Sequence, residues 1–90
     1  MNQEQSNELV DNISKKSNLH YLVLHNDDFN TFDHVIESLV TVCHHTPEQA
    51  EQCAMIVHYK GRYEVKSGSY KTLSPLKTEL IDRLLTATIE

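Results

Sequence analysis

Residues 19–45, LHYLVLHNDDFNTFDHVIESLVTVCHH, decide the fold. The run from Leu19 to His25 is rich in aromatic and branched residues and stops at Asn26-Asp27-Asp28, a turn signal. It reads as a strand, central in its sheet. Beyond the turn, Phe32, Val35, Ile36, Leu39, Val40 and Cys43 recur at helical spacing and fall on one face of a helix. Asn30 or Thr31 can cap its amino end, and Asp33 suits the positive end of the helix dipole. His44-His45 closes it.

Downstream, Thr46-Pro47-Glu48-Gln49 opens a second helix with a threonine cap, proline at the first helical position and glutamine three residues after the cap. Ala50, Cys53, Ala54 and Val57 form its inward stripe, and Gly61 suits the left-handed residue that ends it. RYEVK at 62–66 alternates like a strand, and Ser67-Gly68-Ser69 reads as a turn. Ser74-Pro75 reads as the start of a third helix with Leu76, Leu80, Ile81, Leu84 and Leu85 inward. Thr86 to Glu90 is again strand-like. The order β-α-α-β-α-β predicts an α+β fold: a small three-stranded antiparallel sheet packed against three helices. Residues 1–17 are polar and read as a flexible amino-terminal extension, with the folded domain over 18–90.

The chain has 90 residues, room for one small domain. Its 13 acidic against 8 basic residues argue against nucleic acid, which needs a basic stripe to neutralise phosphates. No run reaches the length of a membrane span, and no signal-peptide pattern is visible, so a cytoplasmic monomer is expected. Cys43 and Cys53 are too few for a disulfide scaffold and read as reduced and buried. The acidity is concentrated: residues 25–59 carry a net charge of -6 and no Lys or Arg, together with five of the six histidines. Any chemistry is expected there.

YLVLHNDDFNTFDHVIESL followed by AMIVHYKG closely resembles the ClpS family, adaptors of bacterial Clp proteases. The family pattern is a strand, Asn-Asp-Asp, an aromatic, a short cap and an apolar helix, with Val-His-Tyr-x-Gly downstream. Asn-Asp-Asp alone would be weak, since any β-turn holds it; joined to VHYKG in this order it is specific. The resemblance covers roughly residues 19–90. It implies a protein that binds an N-terminal degron, a free α-amino group with a bulky first residue such as Leu, Phe, Tyr or Trp, and delivers the substrate to a Clp AAA+ unfoldase of ClpA or ClpC type.

By position, the resemblance gives Asn26, Asp27 and His58 as the α-amino ligands. An ammonium drawn from water needs acceptors for its three donors and an opposite charge, which an amide oxygen, a carboxylate and a neutral imidazole supply. Asp28 would shape the turn and its field. The pocket for the first side chain would be lined by Asn30, Phe32, Val35, Leu39, Ala54, Val57 and Leu85. Phe32 and Ala54 stand where many members have Met, so the cavity is expected to be moved rather than enlarged. Lys77 matches a basic residue of the family's unfoldase contact, and the amino-terminal extension would engage the unfoldase during delivery.

Two other classes compete. A small enzyme would use Asp27 or Asp28 with His58 as an acid–base pair, but no nucleophile with a partnered base and no phosphate loop accompany them. A ribosomal-stalk-like interaction module has a similar small fold and leaves Asn-Asp-Asp and His58 unexplained. No cofactor is implied. Cys43, His44, His45 and Cys53 match no common zinc spacing, so no metal is expected. His20, His25 and His34 read as surface residues.

Overall fold

The computed structural model describes residues 19–90. The extension expected over 1–17 lies outside the described residues. Strand β1 (His20–His25) leads to helix α1 (Phe32–Cys43) and helix α2 (Pro47–Lys60); β2 (Arg62–Gly68), α3 (Tyr70–Asp82) and β3 (Thr86–Ile89) follow. The sheet is antiparallel with order β2-β1-β3, so the apolar run is the central strand, as its composition predicted. Leu22 and Leu24 of β1 join Leu39, Val42, Val57, Leu73 and Leu80 in one core between sheet and helices. No described helix is long and apolar enough to cross a membrane.

The capping expectations hold in detail. Thr31 accepts from the His34 backbone N–H, and α1 ends in a left-handed His44. Thr46 and Gln49 form a reciprocal capping box at the start of α2. Gly61 closes α2 at φ 92° with nothing near an added Cβ, so glycine is needed there for its backbone conformation and not for space. Its carbonyl accepts from the Asn26 N–H at 2.8 Å, which fastens the end of β1 to the end of α2.

The carboxy-terminal third differs from expectation. β2 continues through Gly68, and α3 starts at Tyr70, four residues before the Ser-Pro signal. Ser69 is the cap: its side chain and carbonyl both accept from Thr72 at 3.1 Å. Leu73, fully buried, anchors the extra turn in the core. Pro75 therefore sits inside the helix, where it forfeits one backbone bond that core packing outweighs. Ile81 and Leu84 do not face inward but are 44% and 65% exposed. The helix stops at Asp82, and Leu84 turns at φ 72°, which sends its side chain outward and Leu85 inward.

Candidate functional site

Where β1, α1 and α2 converge lies a cavity of about 380 Å³. Its rim is polar, from His25, Asn26, Asp27, Asp28 and His58; its interior is apolar, from Leu24, Phe32, Val35, Ala54, Val57 and Leu85, with Asn30 between. Nine of the ten residues expected at the degron site line this cavity. Leu39 is the correction: it is fully buried in the core, one helical turn on from Val35, and does not line the cavity. Lys77 lies half-buried on α3, outside the cavity lining.

The loop after β1 is held by Asp27. Its Oδ1 accepts from the Phe29 and Asn30 backbone N–H groups, both at 2.8 Å, and its Oδ2 from Asn30 Nδ2 at 2.9 Å. Desolvation raises the Asp27 carboxyl, but the Asn30 and Phe29 hydrogen bonds and the charge of His34 outweigh it and hold it below its ordinary value. The rim therefore keeps a carboxylate charge at neutral pH. Three of its roughly four lone-pair sites are used, leaving capacity for one more donor. Asp27 is thus both loop brace and rim anion.

Asn30 is also a brace rather than a simple wall, since the same Nδ2 group donates to the Leu84 carbonyl at 2.8 Å. Beside it, His34 Nε2 donates to the Arg83 carbonyl at 2.9 Å. His34 is therefore a tie between α1 and the turn after α3, not a free surface residue. His25 likewise bonds Thr88 Oγ1 at 2.8 Å, and His20 packs edge-on against Tyr70.

His58 differs from these. Its ring meets Phe32 and Tyr59 edge-on, at 6.2 and 5.2 Å between centroids. Among the described residues no side chain or carbonyl bonds its nitrogens, and none bonds the Asn26 amide. Phe32, 41% exposed, forms one lip of the cavity against His58. Leu24 and His25, not expected in the lining, enter because a strand that ends at a site brings its last residues with it.

The cysteines lie elsewhere. Burial, outweighing the Lys66 charge, pushes the Cys43 thiol to about 11. Cys53 is half-buried rather than buried, with Sγ 3.9 Å from His45 Nδ1. Among the described residues no three His, Cys, Asp or Glu side chains gather as a metal site would require.

Known proteins resemble this chain over most of its length. The family model for the ATP-dependent Clp protease adaptor protein ClpS matches residues 15–86. The chain belongs to the ClpS family. The ClpS adapter of Acetivibrio thermocellus is 34% identical over 70 residues, 78% of this chain and 70% of that protein. The ClpS adapter of Nitratidesulfovibrio vulgaris is 32% identical over 53 residues, 59% of this chain and 53% of that one. Among solved structures, Agrobacterium tumefaciens ClpS2, bound to L-phenylalaninamide, shares the fold with a TM-score of 0.70 at 20% identity, over 81% of this chain and 95% of that chain. ClpS proteins are adaptors of Clp proteases, so this chain is an adaptor and not an enzyme. The acid–base and ribosomal-stalk readings are set aside.

Proposed function

We propose that this adaptor binds N-terminal degrons, taking the free α-amino group and a first side chain such as Leu, Phe, Tyr or Trp, and delivers their bearers to a Clp AAA+ unfoldase in the cytoplasm. The observation that carries this reading is one cavity with an apolar interior and a polar rim, on which no described residue hydrogen-bonds the Asn26 amide or the His58 ring. Asn26 Oδ1 and one His58 nitrogen can accept from an ammonium, and the Asp27 carboxylate supplies the opposite charge. Each charge-assisted bond contributes about 1.5–3 kcal/mol. A Leu or Phe side chain buried on Val35, Ala54, Val57 and Leu85 adds about 1.5–3 kcal/mol. L-phenylalaninamide, seen with the A. tumefaciens relative, carries both a free α-amino group and a bulky side chain.

A Leu-initiated peptide should be titrated with its amino terminus free and acetylated. Acetylation removes the charge and two donors, so affinity should fall at least about tenfold, the loss of one charge-assisted bond. Equal binding of both peptides, or of neither, would sink the proposal. Unfoldase engagement through the amino-terminal extension and Lys77 belongs to the same reading. Lys77→Glu should weaken binding to a ClpA- or ClpC-type unfoldase while leaving peptide affinity unchanged.

A further inference from the structure

Across Asn30 from the cavity lies a second, shallower recess of about 380 Å³, lined by Phe29, Asn30, Thr31, His34, Arg83 and Leu84, with Asp82. Two large apolar side chains stand on it in the open, Phe29 at 74% and Leu84 at 65% exposure. Leu84 is held outward in a left-handed conformation, φ 72°, that leucine rarely adopts. Asn30 Nδ2 fixes its carbonyl at 2.8 Å, and its N–H donates to Ile81 O at 2.9 Å. An outward-held apolar residue at such a backbone position, next to a ligand cavity, points to a use for that side chain.

Asn30 is the wall shared by the two recesses. Its Nδ2 hydrogens go to Asp27 Oδ2 and Leu84 O, both acceptors only, which settles the orientation of the amide. The remaining acceptor, Oδ1, meets no donor among the described residues. A peptide whose first side chain fills the cavity has its second Cα only about 3.8 Å further on, over this wall. In an extended chain the second side chain leaves on the side opposite the first.

We propose that Phe29 and Leu84 form the subsite for the second side chain of the bound peptide, with Asn30 Oδ1 accepting that residue's backbone N–H. This rests on the degron reading above. The subsite takes apolar side chains, because Phe29 and Leu84 are the large side chains that stand open on it and the His34 Nε2 donor is already given to Arg83 O.

The test compares Leu-Leu- and Leu-Ala-initiated peptides on the full chain, on Leu84→Gly and on Phe29→Ala. Glycine favours the φ of Leu84, so Leu84→Gly removes the side chain without disturbing the turn. On the unaltered chain Leu-Leu should bind about fivefold tighter than Leu-Ala, as partial burial of one more leucyl group allows. That ratio should fall towards unity in both variants. A ratio near unity on the unaltered chain, or one kept by both variants, overturns the subsite while leaving degron binding intact. Failure of both peptides to bind, or equal binding of acetylated Leu-Ala, overturns degron binding and the subsite together.

Discussion

The two ends of α2 each hold a histidine beside a recess, and they are built in opposite ways. At the amino end, His45 Nε2 donates to the Val65 carbonyl at 2.9 Å and Nδ1 faces Cys53 Sγ at 3.9 Å. Desolvation lowers the His45 pKa, outweighing the Val65 bond, and raises the Cys53 thiol, so the pair is kept neutral. At the carboxy end, His58 is exposed and meets the rings of Phe32 and Tyr59, and no described residue hydrogen-bonds its nitrogens or the Asn26 amide. The recess at the amino end is the smaller, about 250 Å³ against about 380 Å³, but size is not the main difference. What separates them is whether the polar groups find partners among the described residues.

Exchanging the losses is the strongest way to break that comparison. His58→Ala should weaken Leu-peptide binding about 10–100-fold, one charge-assisted bond, with little change in denaturation midpoint. His45→Ala should cost about 1–3 kcal/mol of stability, from the Val65 carbonyl left without its donor, with peptide affinity preserved in the folded fraction. Urea denaturation and calorimetric titration of both variants check this; a stability loss confined to His58→Ala would invert the assignment. Asp27 belongs to both categories, and two substitutions separate them. Asp27→Asn keeps an acceptor for the loop N–H groups and removes the charge, so affinity should drop about tenfold with most stability retained. Asp27→Ala should lose both, adding about 1–2 kcal/mol of destabilisation as an unmade loop cap.

Much of this was legible in the sequence because local chemistry determined it. The Thr46–Gln49 box, Pro47 and Gly61 each act within a few residues, and each has the conformation its type demands. The cavity followed from the order of Asn-Asp-Asp, an apolar helix and Val-His-Tyr-x-Gly. What was not legible depends on contacts between distant segments. Ser69 competes with Ser74 as a cap, and only the burial of Leu73 decides between them. Leu39 shares the periodic stripe of Phe32 and Val35, but periodicity does not say where a helix face passes from cavity to core. The ties from Asn30 and His34 to Leu84 and Arg83 span about fifty residues and end on carbonyls, which every residue type carries.

Smaller effects sharpen the contrast at the open end. Gly61→Ala meets no steric obstacle and should cost about 1–2 kcal/mol through its positive φ alone. Because the Gly61 carbonyl holds the Asn26 N–H, the same change should also weaken peptide binding, by less than His58→Ala does. Ala54→Met adds volume to the apolar interior. It should reduce affinity for Trp-initiated peptides more than for Leu-initiated ones, since overpacking costs about 1–3 kcal/mol where nothing can yield. Equal losses for the two peptides would place Ala54 outside the first side chain's path.

The smallest expected effect is in pH, and it should appear in stability at the amino end of α2. The folded-state pKa of His45 is lowered, chiefly by desolvation, so above about 6.5 the ring is neutral in both the folded and unfolded chain and stability is independent of it. As pH falls through that value the unfolded chain takes up a proton that the folded chain resists, and stability declines until the lowered value is passed. Asp27, also lowered, contributes stability that is present above the ordinary 3.8 and lost as pH falls below it, so it plays no part near neutrality. His45→Asn should therefore flatten the thermal stability profile between pH 7 and pH 5. Peptide affinity in the folded fraction should be the same in that variant as in the unaltered chain at both pH values, because His45 lines a different recess from the cavity at the other end of α2. A loss of affinity in His45→Asn would show that the two ends of the helix are coupled.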